Sequence, residues 1–461
     1  MKKQTPAQSA RRGVRSAFYP TLGLAASLLL ASSCSHEEAE APALAALTTE
    51  ADAVSADLVA APAIAASNWT AGRFTGSIVP LGSQRAMPNV TLGGNPIVKS
   101  NNPEKFTSTG WLTQHTYTHP SRGGNNAWLS GNFNIYVSHY NGLTTQAYLQ
   151  VLAVNPHAYP ITVSYRGSIL TSSEAGDSRG ILGKSNYYMV TENMLRLPST
   201  VTSKTIPARG AVLLALKRLN SGGSVDGTLL VNAASPGVFT YVVATNTDRI
   251  DEGLSLAHNP STRRPATGNI KPPTVKDFGT EAGVYGFSKV TATPNVPLPG
   301  GIGHIGISVN YAGYEETVAS PYVQTAPANR NGSGQILRLF DSSYRTNGNY
   351  GHEYNVTLRL QNTLARPRRV KVWFASNAHT ATRGLLYNGA MLFNGSTRQV
   401  VTKPIKTVPN EPFNARQELT VVNGVSQPLL IGANSTLNVP VQFYIPGLSS
   451  AGAHFILETQ D

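Results

Sequence analysis

From Asn68 onward apolar and polar positions alternate with a period of two, the pattern of strands that bury one face and show the other to water. It predicts strands at 147–154, 161–169, 211–219, 238–244, 305–310, 354–360, 370–374, 399–406 and 437–445, all rich in Val, Ile, Tyr and Thr. Helix signals are confined to two short stretches, 186–195 and the turn-like 248–257. Six Asn-Gly dipeptides, beginning at Asn141, Asn331, Asn347, Asn388, Asn394 and Asn423, supply residues that tolerate the positive φ of tight hairpins. With 42 Gly and 30 Pro as further punctuation, the expectation is an all-β chain of antiparallel strands.

One segment occurs twice. Leu149-x-Val151-x-Ala153-x-Asn155-Pro156-His157-Ala158-Tyr159-Pro160 lies over Val356-x-Leu358-x-Leu360-x-Asn362-Thr363-Leu364-Ala365-Arg366-Pro367 at a constant offset. The shared parity buries the same faces in both copies, since a slip of one residue would invert every side chain. The expectation is two tandem antiparallel β-sandwich domains with few short helices, at 68–275 and 276–461. Between them, 259–280 holds Pro260, Arg263, Arg264, Pro265, Pro272 and Pro273 and reads as a linker or long crossover loop.

Composition adds a compartment. Residues 1–20 carry Lys2, Lys3, Arg11, Arg12 and Arg15 and no acid, and 21–31 is an apolar run too short to span a bilayer, which together read as a secretory signal. Small residues precede Cys34, the single cysteine, so 1–33 is expected to be a lipoprotein signal peptide and Cys34 the lipid-bearing new terminus; ordinary cleavage leaving a free thiol is the alternative. Residues 34–67 are Ala-rich, with six acids and no Lys or Arg after the cysteine, and read as a flexible acidic stalk. The rest of the mature chain holds 32 basic and 18 acidic residues, a net charge of +14 on a body that no disulfide can staple. The start of the stalk, Ser35-His36-Glu37-Glu38, is similar to the short acidic signals of surface lipoproteins, so the expected place is the outer membrane, at the cell surface.

Several turn and strand motifs carry a family resemblance. Asn95-Pro96-Ile97-Val98-Lys99-Ser100-Asn101-Asn102-Pro103, Gly131-Asn132-Phe133-Asn134-Ile135-Tyr136, the hairpin at Asn155-Pro156, and Gly348-Asn349-Tyr350-Gly351 leading into Tyr354 resemble the domain of unknown function family numbered 3370, found in secreted bacterial proteins. The resemblance covers nearly all of the chain after about Phe74 and implies an extracytoplasmic location. It brings no assigned activity and no functional residue.

The candidate chemistry is sparse. Gly301-Ile302-Gly303-His304-Ile305-Gly306 spells a dinucleotide fingerprint, but Pro297-Leu298-Pro299 stands where a strand is needed and 308–311 continue as strand where a helix should begin. A glycine-rich turn is expected there, with no cofactor. His115 and His119, four apart on a strand, would lie roughly 13 Å from each other, too far for one ion without help from a residue such as His139. No metal site is expected. Without a Gly-x-Ser-x-Gly elbow or a second cysteine, hydrolysis would need two carboxylates brought together by the fold, from Asp226, Asp248, Asp251, Glu252, Asp341 or Glu353.

Arg366, Arg368, Arg369 and Lys371 form the densest basic cluster, at the tip and return strand of the second repeat, suited to a phosphate, sulfate or uronate or else to guarding a sheet edge. Trp69, Trp111, Trp128 and Trp373 could stack on sugar rings or fill cores. Export argues against nucleic acid as a partner. The resulting expectation is a membrane-anchored, non-catalytic binding or structural module for a glycan or envelope protein. A secreted polysaccharide hydrolase and a subunit of an outer-membrane assembly are the alternatives.

Overall fold

The computed structural model describes residues 73–74, 90–114, 128–174, 187–268, 282–285, 287–298, 304–308, 335–338, 350–377, 387–401, 403–405, 414–446 and 453–460. Strands dominate, and two helices, α1 (Tyr187–Leu195) and α2 (Ile250–Ala257), complete the described elements. The all-β expectation is met. Ala147–Val154 and Ala211–Leu219 form with the bounds that the alternation predicts and pair antiparallel with each other. Leu149, Val151 and Ala153 face one core while Leu152 and Val154 face another, under α2, which is why this strand is buried on both sides.

The longest strand, Ser224–Thr245, belongs to both arms of an 11-stranded sheet. Its first part pairs with Leu129–Asn141 and Ile161–Thr171; after a register break between Ala233 and Val238, its second part pairs with Ala147–Val154 and Gly110–Gln114. Phe133, Ile135, Val137, Leu149, Val151, Val163, Val225 and Leu229 meet in one core. A second core lies where two seven-stranded sheets meet. Val356, Leu358 and Leu360 of Glu353–Asn362 join Val370, Val372 and Phe374 of Arg368–Asn377 there, and the Phe374 ring lies 4.9 to 5.4 Å from those of Tyr387, Phe443 and Phe455.

Elements cross between the two halves of the chain. Val90–Gly93 pairs with Lys289–Ala292, while Ala282–Tyr285 pairs with Ile97–Ser100, which runs parallel to Leu129–Asn141. Ile97, Tyr136 and Tyr285 point away from the first core and join the second. On that face Tyr136 donates to Asp226 Oδ2 at 3.2 Å, and the Lys99 ammonium stands 4.5 Å over the Tyr285 ring, all of them buried. Helix α1 sends Val190 and Met194 into the same core, and Thr191 Oγ1 accepts the Ala390 N–H at 2.6 Å. All described residues belong to one compact unit.

A recurrent device closes three hairpins. Asn141 and Asn362 end a strand and Asn155 directly follows one; all three are buried and stand six residues before the next strand. Each accepts, on Oδ1, the N–H two residues on, at 3.0, 2.9 and 3.1 Å, and donates from Nδ2 to the carbonyl four residues on, at 2.9, 2.7 and 2.7 Å. The same amide then reaches two carbonyls at the end of a distant strand: Leu219 and Asn220, Ile206 and Pro207, or Ile431 and Gly432, at 2.7 to 3.3 Å. One side chain thereby satisfies backbone groups in two loops and locks the loops together.

Candidate functional site

The lock at Asn155 holds the most distinctive surface among the described residues. On one side of it is the loop 155–160, on the other the turn 207–210. Arg209 adopts a positive φ of 56° in that turn, and its N–H donates to His157 O at 2.9 Å. The loop cannot slide along the turn while Asn155 joins Tyr159 O to Pro207 O.

The loop carries an aromatic ledge. Trp128 is 39 % exposed and Tyr159 is 51 % exposed, although large aromatics normally seek a core. Between them the His157 ring meets Trp128 edge-on at 5.0 Å and stacks on Tyr159 at 5.5 Å. His157 Nε2 lies 3.1 Å from Gly237 O, and because a carbonyl can only accept, Nε2 carries the proton. The imidazole is thus fixed in orientation and tautomer. Phe239 supports Trp128 from below, with ring centroids 6.1 Å apart.

Beside the ledge is a cavity of about 300 Å³ between the sheet and α2, lined among others by Val154, Arg209, Ala211, Asp251, His258 and Asn259. Val154 is the register partner of Phe239, so the cavity floor and the base of the ledge are neighbours in one sheet. Helix α2 is held by Glu252, which accepts from the N–H and side chain of both Asn246 and Thr247 at 2.6 to 3.1 Å. Partial burial works to raise the Glu252 carboxyl, but the bonds from Thr247 and Asn246 together outweigh it and hold the group below the ordinary carboxylate value. That carboxylate is fully engaged.

Asp251 pairs with Arg249 at 3.0 Å on the surface. His258 Nδ1 lies 2.8 Å from the Tyr241 hydroxyl, and burial, then the charge of Arg263, lowers its pKa and keeps it neutral at pH 7. The guanidinium of Arg209 has no hydrogen-bond partner among the described residues. Donor and acceptor groups thus ring an apolar floor, next to exposed π-faces.

The basic cluster divides. Arg368 shares the inward parity of Val370 and Val372 and is only 1 % exposed, whereas Arg366 and Arg369 are exposed and Lys371 is half-buried. Arg369 stands opposite Gln460 and Lys371 opposite Glu458, whose Oε2 accepts the Trp373 indole N–H at 3.0 Å. That face is therefore of mixed charge, and the four residues do not form one patch. Trp111 fills a small core with Leu152 and Tyr241, leaving Trp128 as the exposed one of the three described tryptophans.

Among the candidate carboxylates, Asp226 is buried beneath the second core and Glu353 is 3.4 Å from Lys289 and accepts from Asn355 and Gln442. His139 is buried, with Nδ1 on Pro103 O at 2.8 Å and Nε2 on the Ser100 hydroxyl at 2.7 Å; no group of three or more metal-ligating side chains occurs among the described residues. His304–Ser308 is a strand, so the second half of the glycine-rich stretch, expected as a turn, is extended, in line with the strand expected at 305–310; residues 301–303 lie outside the described residues. Cys34 and the stalk, Trp69, His115, His119 and Asp341 lie outside the described residues.

No family model matches the chain, and no curated protein matches it. Among solved structures it is similar to the one titled "Crystal Structure of Fet3p, a Multicopper Oxidase that Functions in Iron Import", at 10 % identity and a TM-score of 0.12, covering 73 % of this chain and 53 % of that one. The chain thus spans about half the length of that oxidase, and a likeness at this score carries no argument about fold or activity.

Proposed function

We propose that the protein is a non-catalytic glycan-binding module, with the aromatic ledge at Trp128, His157 and Tyr159 and the adjoining cavity as its binding surface. The observation that carries this reading is the exposure of two large aromatics around a histidine fixed by its own hydrogen bond. Apolar sugar faces stack on such rings, while sugar hydroxyls need convergent donors and acceptors, which Arg209, Asp251 and Asn259 offer a few residues away.

A binding role is supported over a hydrolytic one by the state of the described carboxylates. Glycoside hydrolysis needs two facing carboxyl groups roughly 5 to 10 Å apart. Here Glu252 is engaged in holding α2, Glu353 is paired, Asp226 is buried, and Asp251 is the one acid on the cavity wall.

The rest of the proposal concerns place and architecture. We read Cys34 as the lipid anchor, 34–67 as a stalk, and the outer membrane surface as the location. The two larger cores we read as two sandwiches in tandem that exchange strands. A relationship to family 3370 rests on the turn and strand motifs alone, with no family-model match to support it. Palmitate labelling that disappears in Cys34→Ser, together with protease shaving of intact cells, tests the anchor and its side.

The binding role is tested with the full chain on a glycan array, each retained glycan then being examined by mass spectrometry. Retention of a glycan class without cleavage is the expected result. Cleavage, or no retention of any glycan, refutes the reading.

A further inference from the structure

Granting the glycan-binding function proposed above, on which it rests, we infer that the glycan is acidic: a carboxylate or sulfate on one of its sugars meets the Arg209 guanidinium at the open depression beside α2, within the added positive field of Arg263. The charges on that surface do not cancel. Arg209 and residues 248–264 together hold four arginines, Arg209, Arg249, Arg263 and Arg264, against three acids, Asp248, Asp251 and Glu252. Two of those acids are already engaged, Asp251 by Arg249 at 3.0 Å and Glu252 by Asn246 and Thr247, and Asp248 does not line the depression. Arg264 is turned to Thr109, whose hydroxyl accepts from its Nη2 at 3.2 Å. The guanidinium groups of Arg209 and Arg263 have no hydrogen-bond or ion-pair partner among the described residues.

Placement favours an anion as well. Arg209 has a positive φ of 56°, which glycine adopts at lower cost, so the turn itself does not call for an arginine. Its N–H is tied to His157 O at 2.9 Å, which sets the residue beside the aromatic ledge. Arg263 is held in the turn after α2, its N–H donating at 2.8 Å to the carbonyl of Asn259, a residue of the depression wall. Burial, and then the charge of Arg263, lower the pKa of His258 on the same wall, so that charge reaches the depression. Guanidinium is weakly hydrated and grips a carboxylate or sulfate through two parallel N–H bonds, whereas a neutral hydroxyl offers it a weaker acceptor. The apolar face of a neighbouring sugar then rests on Trp128 or Tyr159. An open depression admits the unit from the side, so a chain end is not required.

The test runs the full chain against matched pairs, oligogalacturonate beside its methyl ester and sulfated beside unsulfated dextran oligomers, with Kd measured by calorimetry at low and high salt. At least one acidic member is expected to bind about tenfold or more tightly than its neutral counterpart, and to weaken about tenfold from low to high salt. Arg209→Gln/Arg263→Gln removes two charges from exposed side chains and should weaken that binding about tenfold or more with an unchanged melting curve. Arg218→Gln/Arg359→Gln removes the same charge from exposed strand positions elsewhere and should weaken it less than about threefold. Equal loss in the two double variants, or a neutral counterpart bound as tightly as its acidic partner, overturns the acidic assignment while leaving the module reading intact. Retention of neutral glycans alone on the array does the same. No retention of any glycan overturns both.

Discussion

Asn155 and Asn362 make the same four side-chain hydrogen bonds, to the N–H two residues on, to the carbonyl four residues on, and to two carbonyls of a facing turn. The sequence repeat is therefore a repeat of a lock and not only of a hydrophobic pattern. What differs is what the lock holds. At the loop position where the first copy has Tyr159, exposed, the second has Arg366, and where the first has His157 the second has Leu364.

Substituting either asparagine by alanine strands the same backbone groups, so both variants should lose about 2 to 4 kcal/mol in urea unfolding. Only Asn155→Ala should also lose glycan retention, because only that lock joins the ledge to the cavity wall. Equal retention by both variants would show that the lock does not position the site. Asn→Asp at either position should be no milder than alanine, since it aims an acceptor at three carbonyls.

His139 makes the fold acid-sensitive. Burial, set against the bond to Pro103 O, which pulls the other way, lowers its pKa to about 4, from an ordinary 6.5. A folded-state value below the unfolded one means that the neutral ring contributes stability fully above about pH 6.5, and that this is lost as pH falls from there towards 4. The difference corresponds to about 3 kcal/mol. Unfolding free energy followed from pH 7 to pH 4 should fall more steeply in the native chain than in His139→Asn. Parallel slopes would contradict the assignment.

The divided basic cluster gives opposite expectations for neighbouring residues. Arg368→Ala removes a side chain that is 1 % exposed and should cost about 2 to 4 kcal/mol. Replacing Arg366 and Arg369, both exposed, together with the half-buried Lys371 by Ser should cost less than Arg368→Ala alone, because charges at or near the surface contribute little. If that triple variant also elutes unchanged from an anionic glycan column, the exposed remainder of the cluster has no part in binding. A large loss of retention would restore it as a second site.

Much of this architecture was legible in the alternation of side chains. Ala147–Val154, Ala211–Leu219 and both helices stand where the pattern puts them, and Asn394-Gly395 and Asn423-Gly424 turn with positive φ at both residues. Alternation assigns faces, however, and not partners. Nothing in it reveals that Ile97–Ser100 runs parallel to Leu129–Asn141 or that Val90–Gly93 pairs with Lys289–Ala292. The first part of Ser224–Thr245 was hidden because Asp226 and Thr228 look solvent-facing, yet both are buried beneath the second core.

Asn388-Gly389 is no turn. It opens the strand Asn388–Phe393, and a side chain at Gly389 would meet Thr191 Oγ1 of α1 at 3.0 Å, so the glycine is there for close approach. The third lock, at Asn141, lacks the Ala-x-Pro of the other two; its signal is an Asn six residues ahead of the next strand. The ledge was half visible. Trp128 is a stacking candidate from sequence, whereas His157 and Tyr159 occupy variable positions of the repeated Asn-x-x-Ala-x-Pro, where the second copy has Leu364 and Arg366.

The ledge is where we propose that a glycan binds. The most direct measurement compares the full native chain with the Trp128→Ala/Tyr159→Ala double variant on one glycan array. Neither residue belongs to a buried core, although Trp128 packs on His157 and Phe239, so the variant should stay folded with a lowered melting temperature, and folding is checked by its melting curve. A glycan class retained by the native chain should be bound at least tenfold more weakly by the variant. Equal retention by a variant that is demonstrably folded would contradict it.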